Sequence, residues 1–293
     1  MLCTTAQVAS LVSSVADDRA DIVVLIQGES DPHSYQLVKG DDEKFRRAEV
    51  IFYSGLGLEH SPAITRLMAK KEKLSIGDSI KLQRPELLIT YANLPDPHIW
   101  MDVSLWKLGV KDIADLFSRL RPEYAKEFQE RAKAEEEHLE KVHDQIKTLC
   151  QSIPDAYRYL VTTHDAFNYF TRAYLAIDDE RQMNTWQPRC FAPEGLAPEA
   201  QISTQDIEKT VNHILKYNIH WIFSESNISQ ESIQRVVEVL KRKGHTVEIA
   251  TTALYGDAMG SSDSVGCTYE GMMLFNAETI TKFLRESGNG SSY

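Results

Sequence analysis

Short apolar runs alternate with amphipathic stretches along the chain, and this alternation constrains the fold more than any other feature of the sequence. Apolar runs bounded by turn residues predict strands, whereas apolar residues spaced i, i+3, i+4 and i+7 predict one face of a helix. The pattern therefore predicts an α/β fold with mostly parallel sheets. The predicted strands cover residues 21–27, 49–53, 157–163, 220–224 and 246–254.

The clearest βαβ unit lies between residues 220 and 250. Gly244 is suited to end its helix, because glycine adopts the left-handed conformation that follows a helix C-terminus. Upstream, Ser203 is suited to cap the start of an earlier helix. The apolar face of the helix in the βαβ unit is formed by Ile233, Val236, Val237 and Leu240.

A long polar helix is predicted in the middle of the chain. Pro122 suits the first turn of a helix, and the helical pattern continues to about Cys150. The central residues 131–138 include no large apolar side chain, which is typical of a helix that bridges two lobes. An ordinary surface helix of a single domain is the alternative. The predicted organisation is an N-terminal lobe at 1–121, a linker helix at 122–151 and a C-terminal lobe at 152–293, each lobe with a mostly parallel sheet flanked by helices.

The charge balance narrows the possible partners. The chain has 32 Lys and Arg against 43 Asp and Glu, a net charge of −11. Nucleic-acid binding needs a basic surface, so no nucleic-acid partner is expected. No apolar run approaches the roughly 18 residues of a transmembrane helix. The first residues lack the features of a signal peptide, so the protein is expected either to be intracellular or to have Met1 in place of a removed leader.

Four metal-ligating side chains stand near the ends of predicted strands or in related loops. His33 and His98 each lie in an Asp-Pro-His triplet, His164 follows the strand 157–163, and Asp257 follows an apolar run. Sites in open α/β sheets form beyond the carboxyl ends of strands. Two of the four residues lie in each predicted lobe, so facing lobes would bring three imidazoles and one carboxylate together.

Three neutral imidazoles and a carboxylate suit Zn²⁺, Mn²⁺ or Fe²⁺. Asp31 and Asp96 are expected to support the neighbouring histidines by hydrogen bonds. Glu225, at the end of the strand 220–224, is a candidate supporting carboxylate or additional ligand. A simple turn-forming role for each Asp-Pro pair is the alternative interpretation.

Landmarks spread over the whole chain resemble a known family. They include Asp31-Pro32-His33-Ser34-Tyr35, Ser54-Gly55-Leu56-Gly57-Leu58-Glu59, Asp96-Pro97-His98-Ile99-Trp100, Thr163-His164-Asp165-Ala166 and Tyr255-Gly256-Asp257-Ala258-Met259. Together they resemble the substrate-binding proteins of metal-importing ABC transporters, the TroA-like zinc, manganese and iron receptors of cluster A-I.

The resemblance implies two lobes joined by one long rigid helix, with one metal ion (Mn, Fe or Zn) in the cleft and no enzymatic activity. It also implies an ABC permease as partner, a monomer, and a periplasmic or other extracytoplasmic location with a possible lipid anchor. Residues 68–94 contain no histidine, unlike the His-rich loop of many zinc-dedicated members. The ligands that the family implies are His33, His98, His164 and Asp257.

Two other functions would use the same ligands. A mononuclear metal-dependent hydrolase needs an open metal position and a general base, for which Glu225 is the evident candidate. An adhesin would hold the metal only for structure. Export, which the resemblance implies, also permits disulfides. Cys190 and Cys267 are then the expected pair, and four unpaired cysteines are the alternative.

Overall fold

The computed structural model describes the chain in two compact units, which share one long helix. Unit 1 comprises Met1–His143 and Ala258–Glu270, and unit 2 comprises Asp144–Asp257 and the chain from Gly271 onward. The domain organisation expected from the sequence stays a prediction. It places an N-terminal lobe at 1–121, a linker helix at 122–151 and a C-terminal lobe at 152–293. The described residues are 1–91, 93–196 and 202–289.

Unit 1 is built on a parallel sheet. Its strands are β1 (Leu2–Cys3), β2 (Val23–Val24), β3 (Val50–Tyr53) and β4 (Glu72–Ser75). They are arranged in the order β2-β1-β3-β4, and all three pairings are parallel. Val50, Ile51 and Phe52 are fully buried, as expected for a strand with both faces covered.

Helices connect these strands and cover the sheet. An antiparallel hairpin of β5 (Thr90–Tyr91) and β6 (Leu94–Pro95) precedes His98. The helices of unit 1 before the long helix are α1 (Ala6–Ala16), α2 (Asp41–Arg47), α3 (Pro62–Met68), α4 (Ile76–Gln83), α5 (Val103–Trp106) and α6 (Gly109–Leu120).

The long helix α7 (Ala125–Gln151) follows a 3₁₀ turn at Pro122–Tyr124, so the predicted helix is confirmed. Its length is about 40 Å at 1.5 Å per residue. Phe128 and Ile146 are fully buried near its two ends, whereas the side chains of 133–138 are exposed or half-buried. Neither this helix nor any other in the described chain has the apolar length needed to cross a membrane.

Unit 2 also contains parallel strand pairs. Strand β7 (Leu160–Val161) pairs with β8 (Cys190–Phe191), and β9 (Trp221–Ile222) pairs with β10 (Glu248–Ile249). The Phe223 N–H donates to the Val161 carbonyl at 2.8 Å and so links the two pairs. The helices of unit 2 are α8 (Asn168–Phe170), α9 (Asp178–Met183), α10 (Thr204–Tyr217), α11 (Glu231–Arg242) and α12 (Tyr269–Asn289), whose first two residues belong to unit 1.

The predicted βαβ unit, the end of its helix and the cap of the helix before it are confirmed. The Ser203 hydroxyl accepts a hydrogen bond from the Asp206 N–H at 3.2 Å and caps α10. Gly244 has a φ of +78° just beyond α11. The apolar face of α11 is buried in the core of unit 2 with Val161, Val211 and Ile222.

The expected disulfide is absent. Within the described chain, no two cysteines are joined by a disulfide. The pairing of Cys190 with Cys267, expected because both lie in the predicted C-terminal lobe, is therefore not formed. Cys190 is buried in β8 of unit 2, whereas Cys267 is exposed in the segment Ala258–Glu270 of unit 1.

Candidate metal centre

The His33 side chain lies in the irregular segment 25–40 that follows β2. It is 5% exposed. Its backbone N–H donates to Asp31 Oδ1 at 2.8 Å, and the Ser34 hydroxyl donates to Asp31 Oδ2 at 2.7 Å. Asp31 therefore closes a tight turn that presents the imidazole inward, as predicted for the first Asp-Pro-His triplet.

His98 occupies the corresponding place in the second triplet. Its Nδ1 lies 2.7 Å from Asp96 Oδ1, and its backbone N–H donates to the same oxygen at 3.0 Å. Both side chains are fully buried. Because a carboxylate accepts hydrogen bonds, Asp96 places the proton on Nδ1 and leaves the lone pair on Nε2. The predicted supporting role of Asp96 is confirmed.

The two imidazoles of unit 1 face each other. His33 Nε2 lies 3.2 Å from His98 Nε2, and the ring centroids are 5.2 Å apart. Two imidazole nitrogens at this distance share one proton or one cation.

His164 in unit 2 lies between two carboxylates. Its Nδ1 is 2.7 Å from Glu225 Oε2, and its Nε2 is 3.1 Å from Asp257 Oδ2. Its backbone N–H also donates to Glu225 Oε1 at 3.0 Å. Glu225 thus holds His164 as Asp96 holds His98.

The elements of unit 2 explain this placement. His164 follows β7, and Glu225 lies just past β9, where it forms a parallel bridge with Leu254. Gly256 is required here because a Cβ atom would stand 2.2 Å from Glu225 Oε2. The sequence therefore needs a residue without a side chain immediately before Asp257.

The carboxylates control the charge of His164. Burial alone would lower its pKa, but the negative charges of Glu225 and Asp257, with their hydrogen bonds, raise the pKa well above the ordinary value. A metal ion at Nε2 has to displace this proton, so proton and metal compete for one atom.

Sequence reasoning missed two aromatic residues that support His98. The Trp100 ring packs edge-on against the His98 ring, with centroids 5.3 Å apart. The Tyr269 hydroxyl donates to the Trp100 carbonyl at 2.6 Å. Trp100 and Tyr269 are far apart in sequence, so no local pattern predicts their contact.

The structure thus brings His33 together with His98 in unit 1, and His164 together with Asp257 and Glu225 in unit 2. All five side chains are buried. Each group combines imidazole or carboxylate donors with a buried carboxylate that orients a histidine. This is the arrangement that transition-metal sites use.

The free energy of unfolding of the metal-stripped protein is predicted to depend on pH through the protonation of His164. The folded-state pKa of His164 lies above its unfolded value of about 6.5. The stabilisation that comes from the protonated imidazole is therefore fully present below the unfolded value, and it is lost as the pH rises through the folded-state pKa. Glu225→Gln should therefore destabilise the protein most below about pH 6.5 and progressively less as the pH rises through the folded-state pKa. Urea unfolding of both proteins across this range measures the difference.

The matched control is Glu270→Gln, because Glu270 pairs with the exposed His138 and exposed pairs contribute little. If Glu225→Gln lowered the free energy of unfolding by the same amount at every pH, the assignment of the proton to His164 would be contradicted.

Comparison with known proteins places these features in a family. The family model described as "Zinc-uptake complex component A periplasmic" matches residues 1–283. The metal-binding protein YtgA of Chlamydia muridarum is 37% identical over 274 residues, which cover 93% of this chain and 82% of that relative. The manganese-binding lipoprotein MntA of Bacillus subtilis is 32% identical over 284 residues, covering 96% and 88% of the two chains.

Solved structures of metal-binding proteins also resemble this chain. The crystal structure of Fe(III)-bound YtgA from Chlamydia trachomatis matches with a TM-score of 0.89 and 35% identity, and the match covers 97% of both chains. The periplasmic zinc-binding protein TroA from Treponema pallidum matches with a TM-score of 0.86 and 28% identity, covering 97% of this chain and 98% of TroA.

Proposed function

The chain belongs to the family of periplasmic A components of zinc-uptake complexes, and on this premise we propose that His33, His98, His164 and Asp257 together bind one divalent transition-metal ion. The protein then delivers the ion to the membrane permease of an ABC transporter. Its family consists of metal-binding transport receptors and not of enzymes, so the hydrolase alternative is not retained.

The 3.2 Å separation of His33 Nε2 and His98 Nε2 is the observation that carries the proposal. Metal–nitrogen bonds of about 2.0–2.1 Å at tetrahedral angles place two such nitrogens about 3.3 Å apart. The pair in unit 1 therefore has the spacing that one cation requires. His164 Nε2 and Asp257 Oδ2, 3.1 Å apart, supply a second pair with similar spacing.

The buried charges support a divalent cation. With Asp257 as its one carboxylate ligand, a divalent ion retains one net positive charge. Asp96 and Glu225 are buried directly behind two of the imidazoles, and these two carboxylates more than offset the remaining positive charge. Four protein ligands also leave little room for the water molecule that a hydrolytic metal site needs.

We assign manganese, iron and zinc as the candidate ions. The relatives include a manganese-binding protein, a zinc-binding protein and an Fe(III)-bound structure. Imidazole and carboxylate donors suit all of these metals. Because affinity rises from Mn²⁺ through Fe²⁺ toward the end of the first-row series, zinc is expected to bind more tightly than manganese in vitro, whatever the cargo is.

The location and partner follow from the family. Its members are extracytoplasmic binding proteins, and several are lipoproteins of ABC transporters. We propose that this protein works outside the cytoplasmic membrane as a monomer, with an ABC permease as its partner and no nucleic acid. A lipid anchor, as in the relative MntA, belongs to the same proposal.

Metal retention tests the binding proposal. Stripped protein is equilibrated anaerobically with equal concentrations of Mn²⁺, Fe²⁺ and Zn²⁺, desalted and measured by elemental mass spectrometry. We expect about one metal ion per chain, and loss of retained metal in His164→Ala, because this variant removes a central donor. His245→Ala is the matched control, since His245 lies in unit 2, where its ring contacts the Ile219 carbonyl and the His220 ring.

Wild-type protein that retains no metal would contradict the proposal. So would equal retention in His164→Ala and His245→Ala. Circular dichroism of the stripped protein separates transport from a structural role, because a receptor keeps its fold without metal, whereas loss of fold would favour the adhesin alternative.

Asp96→Asn tests the carboxylate behind His98. The amide no longer fixes the Nδ1 proton and no longer compensates the charge of the metal, so metal affinity should fall about 10–100-fold. Competition with a chromophoric chelator measures the affinity. Asp112→Asn is the control, because Asp112 also accepts side-chain hydrogen bonds in unit 1, from Ser79 and Gln83. Equal affinities for the two variants would contradict the role of Asp96.

A further inference from the structure

The segment that carries His33 begins with two backbone hydrogen bonds, from the Leu25 N–H to the Cys3 carbonyl and from the Ile26 N–H to the Thr4 carbonyl, and is irregular beyond them. Residues 25–40 contain no helix or strand, and residues 34, 36 and 38–40 are exposed. The bonds from Asp31 to His33 and Ser34 lie inside the segment, so they shape its turn without attaching it to the rest of unit 1. An irregular segment of this length needs external attachments to hold one conformation.

One buried carboxylate provides such attachments. Asp41, the first residue of α2, is 1% exposed. Its Oδ2 accepts hydrogen bonds from the Tyr35 hydroxyl at 2.8 Å and from the Val38 N–H at 2.9 Å. Asp41 therefore fixes the segment at two points on the C-terminal side of His33.

The same carboxylate reaches the start of the segment through a lysine. Asp41 Oδ1 lies 2.9 Å from Lys44 Nζ, which donates to the Leu25 carbonyl at 3.3 Å. Both ends of the irregular segment are thus tied to the first turn of α2. The Tyr35 ring adds a further attachment, since it packs on the core cluster that contains Leu25 and Phe45.

We propose that Asp41 and Tyr35 are positioning residues that hold His33 toward His98 and thereby set the rate at which the bound metal leaves. This inference rests on the proposed function. Neither side chain is a metal ligand; both act through the conformation of the segment. The contrast with His98 is informative, because that histidine is fully buried with its supporting Asp96. His33 is then the ligand of unit 1 that moves first when metal is released.

Tyr35→Phe is the decisive variant because it removes one hydroxyl and keeps the ring. Tyr53→Phe is its matched control. Tyr53 packs on the same core cluster, and its hydroxyl is hydrogen-bonded to Ser75, outside the segment. Wild type and both variants are loaded with Zn²⁺, and the dissociation rate is followed by stopped flow with excess chelator. Amide hydrogen exchange of residues 31–38 is measured on the stripped proteins.

We expect zinc to dissociate about tenfold faster from Tyr35→Phe than from wild type or Tyr53→Phe, as for other groups that support metal ligands. Amide exchange at residues 31–38 should also accelerate in this variant alone, with an unfolding midpoint close to that of the control. Asp41→Asn should likewise speed up both zinc dissociation and amide exchange at residues 31–38. If that variant fails to fold, Tyr35→Phe still decides the question.

Equal dissociation rates, or unchanged amide exchange in Tyr35→Phe, would overturn the inference while leaving the proposed function intact. Wild-type protein that retains no zinc would overturn both. The two failures are therefore distinguishable in one experiment.

Discussion

The hydrogen bond between a buried carboxylate and the Nδ1 atom of a histidine is the interaction on which the candidate site depends. It occurs in both units, between Asp96 and His98 and between Glu225 and His164, and both distances are 2.7 Å. This bond fixes the ring orientation and directs Nε2 to the position of a ligand. A buried carboxylate is costly without partners, so each of these also accepts a backbone N–H of the histidine that it orients.

In unit 2 the fold supplies these groups from loops beyond short parallel strands, whereas in unit 1 Asp96 and His98 follow the antiparallel hairpin of β5 and β6. In unit 2, β7 leads to His164 and β9 leads to Glu225, so two neighbouring strands place the imidazole and its carboxylate together. Gly256 permits the close approach of Glu225 to the chain before Asp257. In unit 1, His33 depends on a less regular segment that Asp41 attaches to α2.

Much of this could be predicted from the sequence because the relevant signals are local. Apolar periodicity located α11 and the strands beside it, Pro122 marked the start of the long helical region, and the repeated Asp-Pro-His triplet pointed to His33 and His98. The supporting carboxylates Asp96 and Glu225 were also identified, since one lies two residues from its histidine and the other ends a predicted strand.

The remaining features depend on tertiary contacts. The bond between Tyr269 and Trp100 joins residues far apart in sequence, and the need for Gly256 becomes evident only once Glu225 has been placed beside it. The sequence left open whether Cys190 and Cys267 form a disulfide, because the return of the chain to unit 1 between Ala258 and Glu270, which places Cys267 in a different unit from Cys190, is a tertiary feature.

The most direct test of the account is anomalous diffraction from crystals of the metal-loaded protein, with data collected on both sides of the metal absorption edge. The account predicts one strong anomalous peak per chain, bonded to Nε2 of His33, His98 and His164 and to the Asp257 carboxylate, with metal–nitrogen distances of about 2.0–2.2 Å. A peak elsewhere, or a metal bound by the residues of only one unit, would contradict it.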